Sequence, residues 1–242
     1  MSVLLTVSNV SHSFGSLWAV RDVNFSLNEG ELLGLIGPNG AGKSTLYNLL
    51  AGVLKPNSGE LIFEGKNIAG WQPYQVARAG IARTFQIPKP YGQLTVIENV
   101  MLSAFLHDHS VSSARRKAEA VLIDVGLADY ADAPMSILTA GLLKRLEVAR
   151  AIALKPRLVL FDEIMAGLTQ SEVKMMTALV AGLPARGVTV IWVEHVLYAI
   201  MNTAHRILVL NRGRLIADGP PEKIVKDPAV IKAYLGEEMT LA

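Results

Sequence analysis

Two stretches of this chain carry residue types and spacings suited to chemistry on a triphosphate. The first is Gly37-Pro38-Asn39-Gly40-Ala41-Gly42-Lys43-Ser44-Thr45, which fits the pattern G-x-x-x-x-G-K-[ST]. Glycines at these spacings let the backbone curl until several N–H groups point inward at phosphate oxygens. A helix opening at the end of the loop adds a favourable partial positive charge. Lys43 then supplies a point charge for the β- and γ-phosphates, and Ser44 offers a hydroxyl to Mg²⁺. The second stretch, Leu158-Val159-Leu160-Phe161-Asp162-Glu163, is an apolar run ending in two carboxylates. A buried strand here would deliver those carboxylates to the same sheet edge as the phosphate loop. Asp162 can then hold the metal, directly or through water, and Glu163 can orient or deprotonate the attacking water.

These groups need elements to position them. Residues 32–36 read as a short apolar strand running into the glycine loop, and 43–51 as the helix leaving it. Strand signals of apolar and β-branched residues also fall at 4–10, 19–27, 61–63 and 81–84. Between the last two, Gly65, Gly70 and Pro73 break the pattern. From about residue 87 to 153 the texture changes to helix-spaced apolar positions at 96–105, 115–125 and 142–153, which reads as an inserted helical lobe. Strands return at 158–161, 188–193 and 207–210, alternating with helices at 171–183 and 196–203. Strand–helix alternation implies a parallel sheet covered by helices. A hairpin around Asn211-Arg212-Gly213 and a tail of short helices close the chain.

The composition bounds what such a domain can do. Hydrophobic residues make up 51% of 242, enough for a sizeable core. A net charge of +2, from 23 basic and 21 acidic residues, lacks the basic excess of a dedicated nucleic-acid binder. Without cysteine, disulfides and thiolate metal sites are excluded. No apolar run approaches the roughly 20 residues needed to cross a bilayer, and the first ten residues do not read as a signal peptide. Any membrane role is therefore expected to run through a partner.

The order and spacing of further residues resemble the ATP-binding subunits of ABC transporters over nearly the whole chain. Phe14, before Gly15, stands where that family has an aromatic that stacks on adenine. Gln86, after Arg83-Thr84-Phe85, stands where it has the glutamine joining core to helical lobe, which senses Mg²⁺ or water. Leu138-Thr139-Ala140-Gly141-Leu142 occupies the place of its signature, usually Leu-Ser-Gly-Gly-Gln. His195, after Val193-Glu194, matches the histidine that contacts the γ-phosphate. Ile97-Glu98-Asn99-Val100, Arg145 to Arg150, Ala166-Gly167-Leu168 and Ala233-Tyr234-Leu235-Gly236 look like the branched-chain amino acid importer subfamily.

The resemblance implies an α/β fold. It consists of a P-loop NTPase core with a mostly parallel sheet, an N-terminal antiparallel β subdomain and the inserted helical lobe. One domain would span 1–242, with 1–86 and 154–242 as core and about 87–153 as lobe. ATP and Mg²⁺ are the implied substrate and cofactor. The catalytic set would be Glu163, His195, Gln86 and Lys43, and the metal set Ser44, Gln86 and Asp162. Nucleotide contacts would come from Phe14 and Gly37 to Thr45 for this chain's own ATP, and from Thr139 and Gly141 for the ATP of a facing subunit. Implied partners are a second ATP-binding subunit, transmembrane permease subunits and a periplasmic or extracellular solute-binding protein. The implied location is the cytoplasmic face of the inner membrane. Export in place of import, and a soluble ATPase outside transport, are the alternatives.

The resemblance has departures. Ala140 and Leu142 replace the usual glycine and glutamine of the signature, Ile164 the proline after the catalytic glutamate, and Thr169 an Asp or Asn. Because a signature serves the opposite subunit's nucleotide, this pattern suggests a heterodimer, with a homodimer as the alternative. Tyr91, Leu94 and Val96 are candidates for a groove that receives a permease helix, and Arg115-Arg116-Lys117 reads as a solvated helix face.

Overall fold

The computed structural model describes residues 2–85, 88–106 and 108–235. Two sheets organise the chain. The first is antiparallel. It contains β1 (Val3–Phe14), β2 (Leu17–Asn28), β4 (Ser58–Phe63) and β5 (Lys66–Asn67), in the order β2-β1-β4-β5. The second contains β3 (Leu32–Ile36), β6 (Ile81–Arg83), β7 (Leu158–Asp162), β8 (Thr189–Val193), β9 (Arg206–Asn211) and β10 (Arg214–Gly219). Its order is β10-β9-β3-β8-β7-β6, parallel except for the hairpin partner β10. β3, β7 and β8 are buried at every position, as their continuous apolar runs require of central strands covered on both faces.

Helix α1 (Lys43–Leu50) follows the glycine loop and packs between the sheets. On that side Leu46, Tyr47 and Leu50 join Leu33, Leu35, Leu158 and Leu160 with inward residues of β1 and β2 in one core. The other face of the parallel sheet, with Phe161 and Trp192, is covered by helices. They include α3 (Val96–Ala104), α4 (Val111–Asp124), α5 (Ala140–Ala153), α6 (Gln170–Gly182) and α7 (Leu197–Thr203). The apolar faces of α3, α4 and α5 meet each other in the same cluster that reaches Phe161 and Trp192. The lobe's core is therefore continuous with the sheet.

Local chemistry sets the helix boundaries. α3 begins with a capping box: the Thr95 hydroxyl accepts from the Glu98 amide, and Glu98 accepts in return from the Thr95 amide. α6 begins the same way with Thr169 and Glu172, threonine filling a cap position that Asp or Asn can also fill. α2 (Pro73–Arg78) is a helix missing from the sequence reading, which took Pro73 as a breaker. Here proline is the first helical residue, where no N–H is needed, and Gln72 with Gln75 forms the box before it. The tail contains α8 (Pro221–Ile224) and α9 (Pro228–Leu235).

Candidate functional site

The glycine loop sits at the C-terminal edge of β3, between that strand and α1, and its shape depends on contacts only glycine allows. Gly37 has φ +152°, and a Cβ there would lie 2.1 Å from the Leu210 carbonyl oxygen of β9. Gly42 has φ +104°, and its Cβ would lie 2.2 Å from the Ala19 carbonyl oxygen of β2. The loop is thus pressed between strands of both sheets. Lys43 folds back over it: its ammonium donates to the carbonyls of Gly37 at 2.6 Å and Pro38 at 3.1 Å. Burial holds this ammonium below the usual lysine range, opposed by the charges of Glu163 and Asp162.

β7 ends at the same edge. The Asp162 amide donates to the Thr84 hydroxyl at 3.1 Å, tying β7 to the residue after β6. Burial first, and then the neighbouring Glu163 charge, push the Asp162 carboxyl above its ordinary value; Arg83, Lys144 and Lys43 oppose this. Glu163 turns the chain sharply, with φ +48° at a residue that has a Cβ. Its amide donates to the Val193 carbonyl at 2.9 Å, and its carboxylate lies 2.8 Å from Nε2 of His195.

His195 follows β8 and is half exposed. Its approach to Glu163 is set from beneath by Glu194, which is buried. Glu194 accepts from the Met165 amide at 2.7 Å and from the His195 amide at 3.2 Å. Burial raises the Glu194 carboxyl above its ordinary value despite these donors.

Loop, carboxylate and histidine face one cleft of about 480 Å³. It is lined by Asn39 to Thr45, Glu163 and His195, and also by Leu17, Trp18, Ala19 and Arg212. The last four are absent from the motif reading. Trp18 is 45% exposed and the Arg21 guanidinium lies over its ring at 5.8 Å. Phe14 lies outside this lining, 54% exposed and edge-on to His12 with ring centroids 4.8 Å apart. Tyr234 of α9 brings its phenol against the backbone of Gly37. Such contacts come from pairing β2 and the tail with the loop, which no local motif announces.

Thr139 and Gly141 lie apart from this cleft, at the start of α5. The Thr139 hydroxyl accepts from the Leu142 amide as the helix cap, and Gly141 lies against the Glu172 carboxylate. Gln86 lies outside the described residues, as does Gly236 of the closing motif. Among the groove candidates, Tyr91 is exposed, Leu94 is half-buried and Val96 is fully buried in the lobe core.

Ser44 and Asp162 are hard oxygen donors, and a buried carboxylate whose anion is disfavoured by desolvation is suited to an adjacent cation. Among the described residues no three His, Cys, Asp or Glu side chains gather as a metal cage. Two such oxygens would suit Mg²⁺, which takes one or two protein oxygens and completes its shell with phosphates and water.

Comparison with known proteins agrees with this geometry. Residues 20–166 match the family model described as ABC transporter, and residues 214–240 match that described as branched-chain amino acid ATP-binding cassette transporter. The chain is 37% identical to the high-affinity branched-chain amino acid transport ATP-binding protein LivG of Escherichia coli strain K12, and 36% identical to BraF of Pseudomonas aeruginosa. Both alignments cover 97% of this chain and 98% of the relative. Among solved structures, the ADP conformation of an ATP-binding cassette of an ABC transporter superposes with a TM-score of 0.87 at 30% identity, covering 98% of this chain and 100% of that one. A nucleotide-free cassette superposes at 0.86, also at 30% identity, covering 96% of this chain and 99% of that one.

Proposed function

This chain belongs to the ABC transporter family as an ATP-binding cassette, and we propose that it powers import of branched-chain amino acids or related small polar solutes. It binds and hydrolyses ATP. The observation that carries the assignment of residues is the single cleft shared by the glycine loop, Glu163 and His195. In our reading, Lys43 exchanges its Gly37 and Pro38 carbonyls for β- and γ-phosphate oxygens when ATP enters. The loop amides and the start of α1 cradle the same phosphates. Glu163, aimed by His195, orients the attacking water and takes its proton. His195 also donates to the γ-phosphate. Mg²⁺, held by Ser44, Asp162 and Gln86, would neutralise charge on the phosphates. The adenine stacks on an aromatic: Trp18, which lines the cleft, or the expected Phe14, which stands outside that lining.

Thr139 and Gly141 would serve the nucleotide of a facing cassette, and that cassette's signature would complete this site. The altered signature supports a heterodimer. Permease helices would dock where Tyr91 is exposed, or in an apolar groove of about 300 Å³ lined by Pro73, Tyr74, Ala77, Phe85 and Leu154. Among the described residues no helix is long and apolar enough to cross a membrane. Attachment at the cytoplasmic face of the inner membrane would therefore be peripheral, through the permeases. A periplasmic or extracellular protein would deliver the solute.

The test is to purify the chain from its host membranes in mild detergent and identify what accompanies it. A permease pair and a second, different cassette are expected, with ATPase activity rising when loaded solute-binding protein is added. Recovery with a single self-paired cassette would refute the heterodimer, and recovery with no permease would refute the transport role.

A further inference from the structure

The catalytic turn has one attachment to the helical lobe that the nucleotide motifs do not assign. Lys144, on the second turn of α5, is 9% exposed, although a buried ammonium is costly unless partnered. Its Nζ donates to the backbone carbonyl of Glu163 at 3.0 Å. That carbonyl belongs to a residue held at φ +48°, a conformation that persists only where its surroundings impose it. On the other side, the Glu163 amide is held by Val193 of β8. Glu163 is thus held through its amide by β8, through its carbonyl by α5 and through its carboxylate by His195. The charge of Lys144 also joins those of Arg83 and Lys43 in opposing the rise of the Asp162 carboxyl.

The same helix makes two further attachments. Arg145 donates to Glu172 at 3.0 Å, at the capped start of α6. Arg150 donates to Glu147 at 2.6 Å and to the Lys89 carbonyl at 3.0 Å, and its guanidinium lies over the Tyr91 ring at 5.6 Å. One rigid helix therefore begins at Thr139 and Gly141, holds the backbone of Glu163, and grips the segment leading to α3.

We propose that Lys144 is a positioning residue for hydrolysis, aiming Glu163 by holding its carbonyl and making that aim depend on the position of α5. The proposal rests on Glu163 being the catalytic carboxylate. A displacement of α5, on engaging a facing nucleotide or a permease, would then alter turnover with little effect on ATP binding. Misplacement by about 1 Å is enough to lower a rate about 100-fold.

The test uses the purified complex of this chain with its facing cassette and permeases, supplied with magnesium and ATP. Lys144→Met is expected to lower kcat by roughly 10- to 100-fold, with KM and affinity for a non-hydrolysable ATP analogue shifting less than about threefold. Lys144→Arg, which can reach the same carbonyl, is expected to restore most of kcat. In a Glu163→Gln background, Lys144→Met should cost less than about twofold more, because both changes disable one unit. Should Lys144→Met fail to fold, Lys144→Gln keeps a donor with shorter reach and carries the same expectations. The inference is overturned if kcat is unchanged, if affinity falls in step with it, if folded Lys144→Arg is no better than methionine, or if the losses multiply. If Glu163→Gln alone leaves turnover intact, the catalytic assignment itself fails. If it abolishes turnover and Lys144→Met does not lower it, only the inference on Lys144 fails.

Discussion

Replacing Gly42 by alanine, with Gly40→Ala as its control, separates two things a glycine can do in this loop. Gly40 has φ +75° and nothing within 4 Å of where a Cβ would stand. Alanine there carries only the backbone cost of a left-handed conformation, about 1 to 2 kcal/mol. Gly42 has φ +104° and would place its Cβ 2.2 Å from the Ala19 carbonyl oxygen, with Leu210 Cδ2 at 3.2 Å. Real Cβ contacts are essentially never closer than 3.0 Å, so loop and strand must separate by 3.0 − 2.2 = 0.8 Å at least. Strand and loop are also tied together through Gly213, whose carbonyl accepts from the Arg21 amide and whose amide donates to the Ala41 carbonyl. Strain and overpacking together give about 3 to 5 kcal/mol for Gly42→Ala. The shift falls on the residue before Lys43, so nucleotide binding suffers as well as stability. Urea unfolding and titration with an ATP analogue should therefore rank Gly42→Ala far below Gly40→Ala on both scales. Equal losses in the two variants would refute the argument that the clash with β2 shapes the loop.

Glu163→Gln should keep ATP binding and lose turnover by about 100- to 10,000-fold in single-turnover phosphate release; retained turnover would remove it as the base. Trp18→Ala should weaken adenine nucleotide binding by about 1 to 3 kcal/mol if the base stacks on it, and Phe14→Ala run beside it identifies the platform. An unchanged affinity in both would refute stacking there. The raised Glu194 carboxyl makes a stability contribution present below its unfolded value of 4.5 and lost as pH rises through its folded value. Glu194→Gln, neutral throughout, should therefore gain stability relative to the parent as urea unfolding is repeated from pH 4 upward, and a flat or falling difference would contradict this.

The sequence reveals this site unevenly, for physical reasons. The phosphate loop and the end of β7 are local patterns, complete within a few residues, so Lys43 and the Asp162–Glu163 pair could be singled out directly. His195 and Gln86 are single polar residues whose meaning comes only from their register with those patterns. The 2.8 Å contact of His195 with Glu163 depends on β7 and β8 being neighbours, and that order follows from crossovers no spacing encodes. Trp18 and Arg212 line the cleft because β2 and the β9–β10 hairpin close over the loop, and strand periodicity does not predict that. Pro73 misled because proline stops a helix within its body and starts one at its first position. Lys144 reads as an ordinary charge on an amphipathic helix, and only the packing of α5 on the turn after β7 reveals its partner. Thr169 departs from the family pattern, yet the structure finds it capping α6 as an Asp or Asn would.

The account depends most directly on the glycine loop and Lys43 holding a triphosphate. Equilibrium titration of the purified chain with ATP and magnesium, beside Lys43→Ala, measures this. The account predicts saturable binding by the parent chain and a loss of about 10- to 150-fold in the variant, the equivalent of the roughly 1.5 to 3 kcal/mol of a charged hydrogen bond. Failure of the parent to bind, or equal binding by the variant, would contradict it.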